Sequence, residues 1–112
     1  MSKIVVLGGG MVGSAMAIDL SEKHEVLVCD ASHRVLEQLK SKYPKLSIAT
    51  LDVRNASALV AAIMPQDLVV CAVPGFLGFE TMRQIIGAGK NVVDISFFPE
   101  RALDLEIGRA HV

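Results

Sequence analysis

Tryptophan is absent from this 112-residue chain and aromatic side chains make up only 4% of it, so the apolar half of the composition is almost wholly aliphatic. There are just two cysteines, Cys29 and Cys71, each inside an apolar run. Two such residues give neither a disulfide framework nor a zinc-binding spacing, and cysteines in this setting are expected to be small buried hydrophobes. Charge of either sign is not concentrated anywhere. The formal net charge is −1 and the basic residues are scattered, so no basic stripe suits nucleic acid and no acidic block forms a tail. No apolar run approaches the roughly 20 residues that span a bilayer. The N-terminus lacks a charged region followed by a separate apolar segment and cleavage site, so a cytoplasmic location is expected. Internal repeats, linkers and low-complexity segments are also missing.

What is there is a regular alternation of short β-branched runs with longer amphipathic stretches. Lys3–Leu7 (KIVVL) reads as a buried strand and Met11–Lys23 as a helix with Val12, Ala15, Met16 and Leu20 at helical spacing. Glu25–Cys29 is a second strand. Ser32 can cap a helix that runs to about Tyr43, facing Val35, Leu36 and Leu39 inward, and Pro44 closes it. Leu46–Leu51 is a third strand, and Asn55 or Ser57 caps a short helix ending near Met64. Asp67–Val73 is a fourth strand ended by Pro74 and Gly75, followed by a helix over about Phe79–Ala88 with Gly89 as its stop. Asn91–Ile95 is a fifth strand. Strands separated by helices in this way make parallel βαβ units. The expected fold is one α/β domain: an open parallel sheet in the order 3-2-1-4-5, with helices on both faces.

Gly8, Gly10 and Gly13 form G-x-G-x-x-G between the first strand and the first helix. In that context the first glycine allows the tight turn, the second lets a pyrophosphate approach the backbone, and the third lets the helix pack on the sheet. The helix start then supplies N–H groups and a positive dipole end to the phosphates. The bland alternative is a flexible turn. The context on both sides favours a Rossmann-type dinucleotide site.

Asp30 ends the second strand at the spacing expected of the residue that accepts hydrogen bonds from the adenosine ribose. Its charge would repel a 2′-phosphate, which makes NAD the expected cofactor, with NADP the other possibility. Arg34 lies one helical turn on, where it would either reach a 2′-phosphate or sit solvated on the helix surface. Asp30 has a bland reading too, as a cap of the following helix. Asp52 and Val53 follow the third strand, where such domains line the adenine pocket, with the Asp side chain or nearby backbone near N6 of the base; Asp52 could equally be a turn residue capping the next helix. Ala72, Val73, Pro74 and Gly75 should run beneath the ribose beside the nicotinamide. Asp94 and Ser96, at the end of the fifth strand, either face the hydride-transfer centre or cap neighbouring backbone. All four phenylalanines, Phe76, Phe79, Phe97 and Phe98, cluster at or beyond the ends of the last two strands. They either pack in the core beneath a helix or face a second domain.

The segment Val69–Pro99, VVCAVPGFLGFETMRQIIGAGKNVVDISFFP, and the opening KIVVLGGGMVGSAMAIDL resemble the saccharopine dehydrogenase family, especially its lysine 6-dehydrogenase-like members. The glycine motif is generic, whereas PGFLG followed by GKNVVDISF is more specific. The resemblance implies an oxidoreductase using NAD(P) on the amine or imine carbon of a lysine-related amino acid. It further implies a second domain that binds the amino-acid substrate and helps form a homodimer. On this reading residues 1–106 are the dinucleotide-binding domain, the substrate domain is missing, and 107–112 are a non-native tail. The cofactor-binding set is Gly8, Gly10, Met11, Val12 and Gly13 at the turn; Asp30 and Ala31; Asp52 and Val53; and Ala72, Val73 and Pro74. Catalytic residues are not identifiable, since His24 and His33 read as surface residues and His111 lies in the tail. No metal, nucleic acid or membrane is expected as a partner. A regulatory NAD-binding module of the potassium-transport type is the competing function. It shares the glycine turn and ribose acid but tends to be polar or acidic after the fourth strand.

Overall fold

The computed structural model describes residues 1–95. It contains β1 (Lys3–Leu7), α1 (Met11–Leu20), β2 (Glu25–Asp30), α2 (His33–Lys42), β3 (Ser47–Thr50), α3 (Ala56–Ile63), β4 (Leu68–Cys71), α4 (Gly75–Gly87) and β5 (Val92–Asp94). The sheet has five parallel strands in the order β3-β2-β1-β4-β5, as the βαβ alternation requires.

The core follows from the period-two geometry of a strand covered on both faces. Along β1, Ile4 and Val6 point to one side, where Val26, Val28, Leu36, Leu39 and Leu46 meet them under α1 and α2. Val5 and Leu7 point to the other, against Leu59, Ile63, Val69 and Ile85 under α3 and α4. Hence the continuous apolar run of the first strand, with no polar alternation. In register, Leu7 has Cys29 on one side and Cys71 on the other. Both thiols are buried and free.

Several element ends differ from the sequence expectations. α1 stops at Leu20, because Ser21–Lys23 form a turn that ties back to Ala17, Asp19 and Leu20. Ala15 lies on the exposed side of α1, and Ala17 takes the buried position instead. β4 ends at Cys71, and α4 begins at Gly75 rather than near Phe79. Proline suits a helix start, because its missing N–H has no intrahelical partner there. Pro74 is the residue before the first turn of α4, so Pro74 and Gly75 open a helix where the sequence suggested a strand-ending loop. Ser32 and Asn55 are the caps of α2 and α3, accepting from the N–H groups of Val35 and Ala58.

No helix among the described residues is long and apolar enough to cross a membrane. Ser96, Phe97, Phe98 and the tail over 107–112 lie outside the described residues.

Candidate functional site

The chain runs outward from β1 through β2 to β3, then returns to the opposite side of β1 as β4. Helices leave the sheet in opposite directions at that reversal, which opens a crevice beyond the carboxyl ends of the strands. A cavity of about 520 Å³ occupies it, within the range of small-ligand pockets.

The glycine turn forms its floor. Gly8 has φ +109°, a conformation that L side chains rarely adopt, and a Cβ there would stand 3.0 Å from the Ala72 carbonyl oxygen. Gly13 packs so tightly that a Cβ would overlap the Gly8 carbonyl oxygen. Gly10 is different. Its φ of −73° and ψ of −167° are open to any residue, and it is exposed. The fold therefore needs glycine at positions 8 and 13, whereas at 10 the backbone angles do not call for it. α1 also starts without a side-chain cap. A helix start, with its N–H groups and positive dipole end, favours a phosphate oxygen. The residues present thus fit a pyrophosphate.

Asp30 sits at the end of β2 on the rim of this turn. Its Oδ2 accepts the Gly9 N–H at 2.7 Å and its Oδ1 the Ser32 N–H at 2.8 Å. Ser32, not Asp30, caps α2. Asp30 is therefore a strut between the glycine turn and the start of α2, with lone pairs still open to the cavity that it lines. Ala31 lies beside it on the cavity wall, whereas Arg34 is exposed on α2 and stands outside the lining.

Beyond β3, Leu51 and Val53 form an apolar patch flanked by Asp52. Asp52 does not cap α3, since Asn55 does. It holds Arg54 instead: Nη2 donates to Oδ2 at 2.7 Å, Nε to Oδ1 at 3.0 Å, and the Arg54 backbone N–H to Oδ1 at 2.9 Å. These hydrogen bonds, from the side chain first and then the backbone, hold the Asp52 carboxyl down at about 2. Arg54 lines the cavity and was not anticipated from sequence; the D-x-R spacing was its one signal.

On the far side of Gly8 the wall is Ala72, Val73, Pro74 and Leu77, with Ile95 behind. Every residue of the expected cofactor set lines the cavity except Met11, which is half exposed on α1. Asp94 is not among the lining residues. Cys29 does line it, but burial pushes its thiol up to about 11, and burial raises Cys71 as well. Neither is suited to act as a nucleophile at neutral pH. His24 accepts the Ser2 N–H at 3.1 Å, and His33 pairs with Glu37 at 3.2 Å on the exposed face of α2. No cluster able to hold a metal is found among the described residues.

For the two described phenylalanines, core packing is not what the structure shows. Phe76 and Phe79 are 78% and 62% exposed, and both stand on the first turns of α4 beside the cavity wall.

Known proteins share this fold. Residues 4–108 match the family model described as the saccharopine dehydrogenase NADP binding domain. Among solved structures, the chain is similar to apo saccharopine dehydrogenase (L-Glu forming) from Saccharomyces cerevisiae, with 23% identity and a TM-score of 0.73, covering 96% of this chain and 24% of that one. It is also similar to the enzyme WbmG from Bordetella bronchiseptica, solved in complex with NAD (20% identity, TM-score 0.65, 83% of this chain and 36% of that one). A third is the 3-hydroxyacyl-CoA dehydrogenase of Archaeoglobus fulgidus (24% identity, TM-score 0.62, 84% of this chain and 33% of that one). The chain therefore spans about a quarter to a third of the length of these structures. No curated protein sequence matches it.

Proposed function

We propose that this chain, which belongs to the saccharopine dehydrogenase NADP binding domain family, is the cofactor-holding part of an oxidoreductase that acts on the amine or imine carbon of a lysine-related amino acid. The observation that carries the cofactor part of this reading is the union of the glycine turn with Asp30 in the lining of one cavity; the substrate class rests on the resemblance of the PGFLG and GKNVVDISF segments. The Gly8–Gly13 turn receives the pyrophosphate and Asp30 the adenosine ribose. The residues after β3 take the adenine, and Ala72–Pro74 support the nicotinamide end. The nicotinamide supplies hydride exchange when bound, and the chain's own contribution is placement. The amino acid is held by a further domain. Exposed Phe76 and Phe79, at the nicotinamide end of the cavity, offer that domain an apolar seat. A regulatory module of the potassium-transport type is less well supported, because the rim after β4 is apolar rather than polar or acidic.

Within the NAD(P) class we favour NAD. Asp30 is fixed by two main-chain N–H groups and places a carboxylate where a 2′-phosphate would have to sit. Calorimetric titration of the 112-residue chain is expected to show NADH binding more tightly than NADPH. Asp30→Ala should weaken NADH by about 1.5–3 kcal/mol, the worth of a hydrogen bond to a charged group. Its loss also frees the Gly9 N–H, which loosens the turn for both cofactors alike, so the NADH/NADPH ratio is the informative quantity. A ratio that did not move would reduce Asp30 to a strut. A folded wild-type chain that bound neither cofactor would sink the reading of the cavity.

A further inference from the structure

We propose that Arg54 is the face-on wall of the adenine subsite, its guanidinium plane lying against the base and held there by Asp52. The inference rests on the dinucleotide reading of the cavity and goes beyond it, by assigning the base a recognition surface.

Covalent order locates the base. With pyrophosphate at the Gly8–Gly13 turn and ribose at Asp30, the adenine must lie beyond Asp30, where β3 ends. Leu51 and Val53 line the cavity there, and they can meet one apolar face of a flat ring. The other wall material at that end is the Asp52–Arg54 pair.

The pair has the form that stacking requires. Two-point pairing, through Nε at 3.0 Å and Nη2 at 2.7 Å, uses in-plane donors of the guanidinium and fixes its plane. Hydrogen bonding in the plane leaves the faces, which are poorly hydrated, available to an aromatic ring. The side chain is 73% exposed, so among the described residues nothing covers those faces fully. Holding the arginine in advance also reduces the side-chain freedom lost when a ligand binds.

Charge argues against the rival role of Arg54 as a phosphate clamp. Asp52 lies directly against the guanidinium and offsets its charge, so the pair presents a flat, nearly neutral surface. The same geometry alters the role expected of Asp52. Both of its carboxylate oxygens are engaged by Arg54, which makes Asp52 a positioning residue for the arginine rather than chiefly an acceptor for the base edge.

The test uses the full 112-residue chain and calorimetric titration with NADH, AMP and 1,N6-etheno-AMP. The etheno bridge removes the amino donor of adenine but keeps the ring face. Arg54→Ala should weaken all three ligands by the same factor, roughly two- to tenfold, the size of an offset-stacked contact between flat π groups. Arg54→Lys should lose as much, because an ammonium keeps the charge but has no plane. The factor should persist when ionic strength is raised, whereas a charge–phosphate contact would fade. Thermal melts confirm that each variant is folded. The proposal is overturned if Arg54→Ala binds AMP like the wild type. It is overturned equally if Arg54→Lys restores affinity, or if the factor disappears in salt. Failure of the wild type to bind NADH and AMP would instead remove the dinucleotide reading, and this inference with it.

Discussion

Replacing Gly10 by valine should leave a folded domain that no longer binds NADH. Gly10 has extended backbone angles that valine adopts readily, and it is exposed at the start of α1. The stability cost should be no more than about 1 kcal/mol, from a poorer N-cap residue. The branched side chain would stand where the pyrophosphate has to approach the backbone. Loss of even two hydrogen bonds to the charged phosphates, at roughly 1.5–3 kcal/mol each, weakens binding by about a hundredfold or more. Thermal unfolding and calorimetric titration on the same sample check both halves. Binding close to the wild type by Gly10→Val would show that the ligand does not cross this turn.

Gly13→Ala should do the opposite and damage the fold itself. Helix propensity alone would have the alanine stabilise α1 by about 0.8–1.0 kcal/mol. Packing reverses the sign. The added methyl would overlap the Gly8 carbonyl oxygen, which is backbone and cannot rotate away, and would press on the Ala72 side chain at 3.3 Å. Overpacking of a tight contact costs roughly 1–3 kcal/mol and sometimes more. In a domain near this size, each kcal/mol moves the midpoint by about 4–8 °C. A net fall in the thermal midpoint is expected, with cofactor affinity lost as α1 shifts off the turn. A rise in the midpoint would mean that the close approach of α1 to β1 is not real.

The contrast between these glycines explains what could be read in the sequence and what could not. The strands were legible because a parallel sheet covered on both faces demands unbroken apolar runs, and KIVVL and DLVVC supply them. Strand order and the cavity's place then follow from connection rules alone. Local signals did less well where one residue type serves two ends. Proline followed by glycine reads as a break, yet Pro74 and Gly75 begin α4, because proline closes a strand and opens a helix equally well. For Phe76 and Phe79 the sequence left core packing and an exposed face both open; the choice depends on which face of α4 meets the sheet, and an expected helix start near Phe79 could not decide it. Arg54 escaped notice for a related reason. An arginine beside a turn is ordinarily solvated, and only the Asp52 pairing, which needs coordinates, distinguishes it.

The two thiols flanking Leu7 give the molecule an internal clock. Burial pushes the Cys29 thiol up to about 11, so it stays largely in the unreactive form, and both cysteines are buried. Cys71 is fully buried and stands outside the cavity lining, so a thiol reagent can reach it only when the structure opens, and its labelling rate reports how often it does. Cys29 lines the ligand cavity, where a bound molecule would also shield it directly, so Cys71 is the reporter. Bound cofactor lowers the open population by the factor 1 + [L]/Kd, so NADH should slow labelling in proportion to its concentration above Kd. Affinity could then be read from the protection of a residue that takes no part in chemistry.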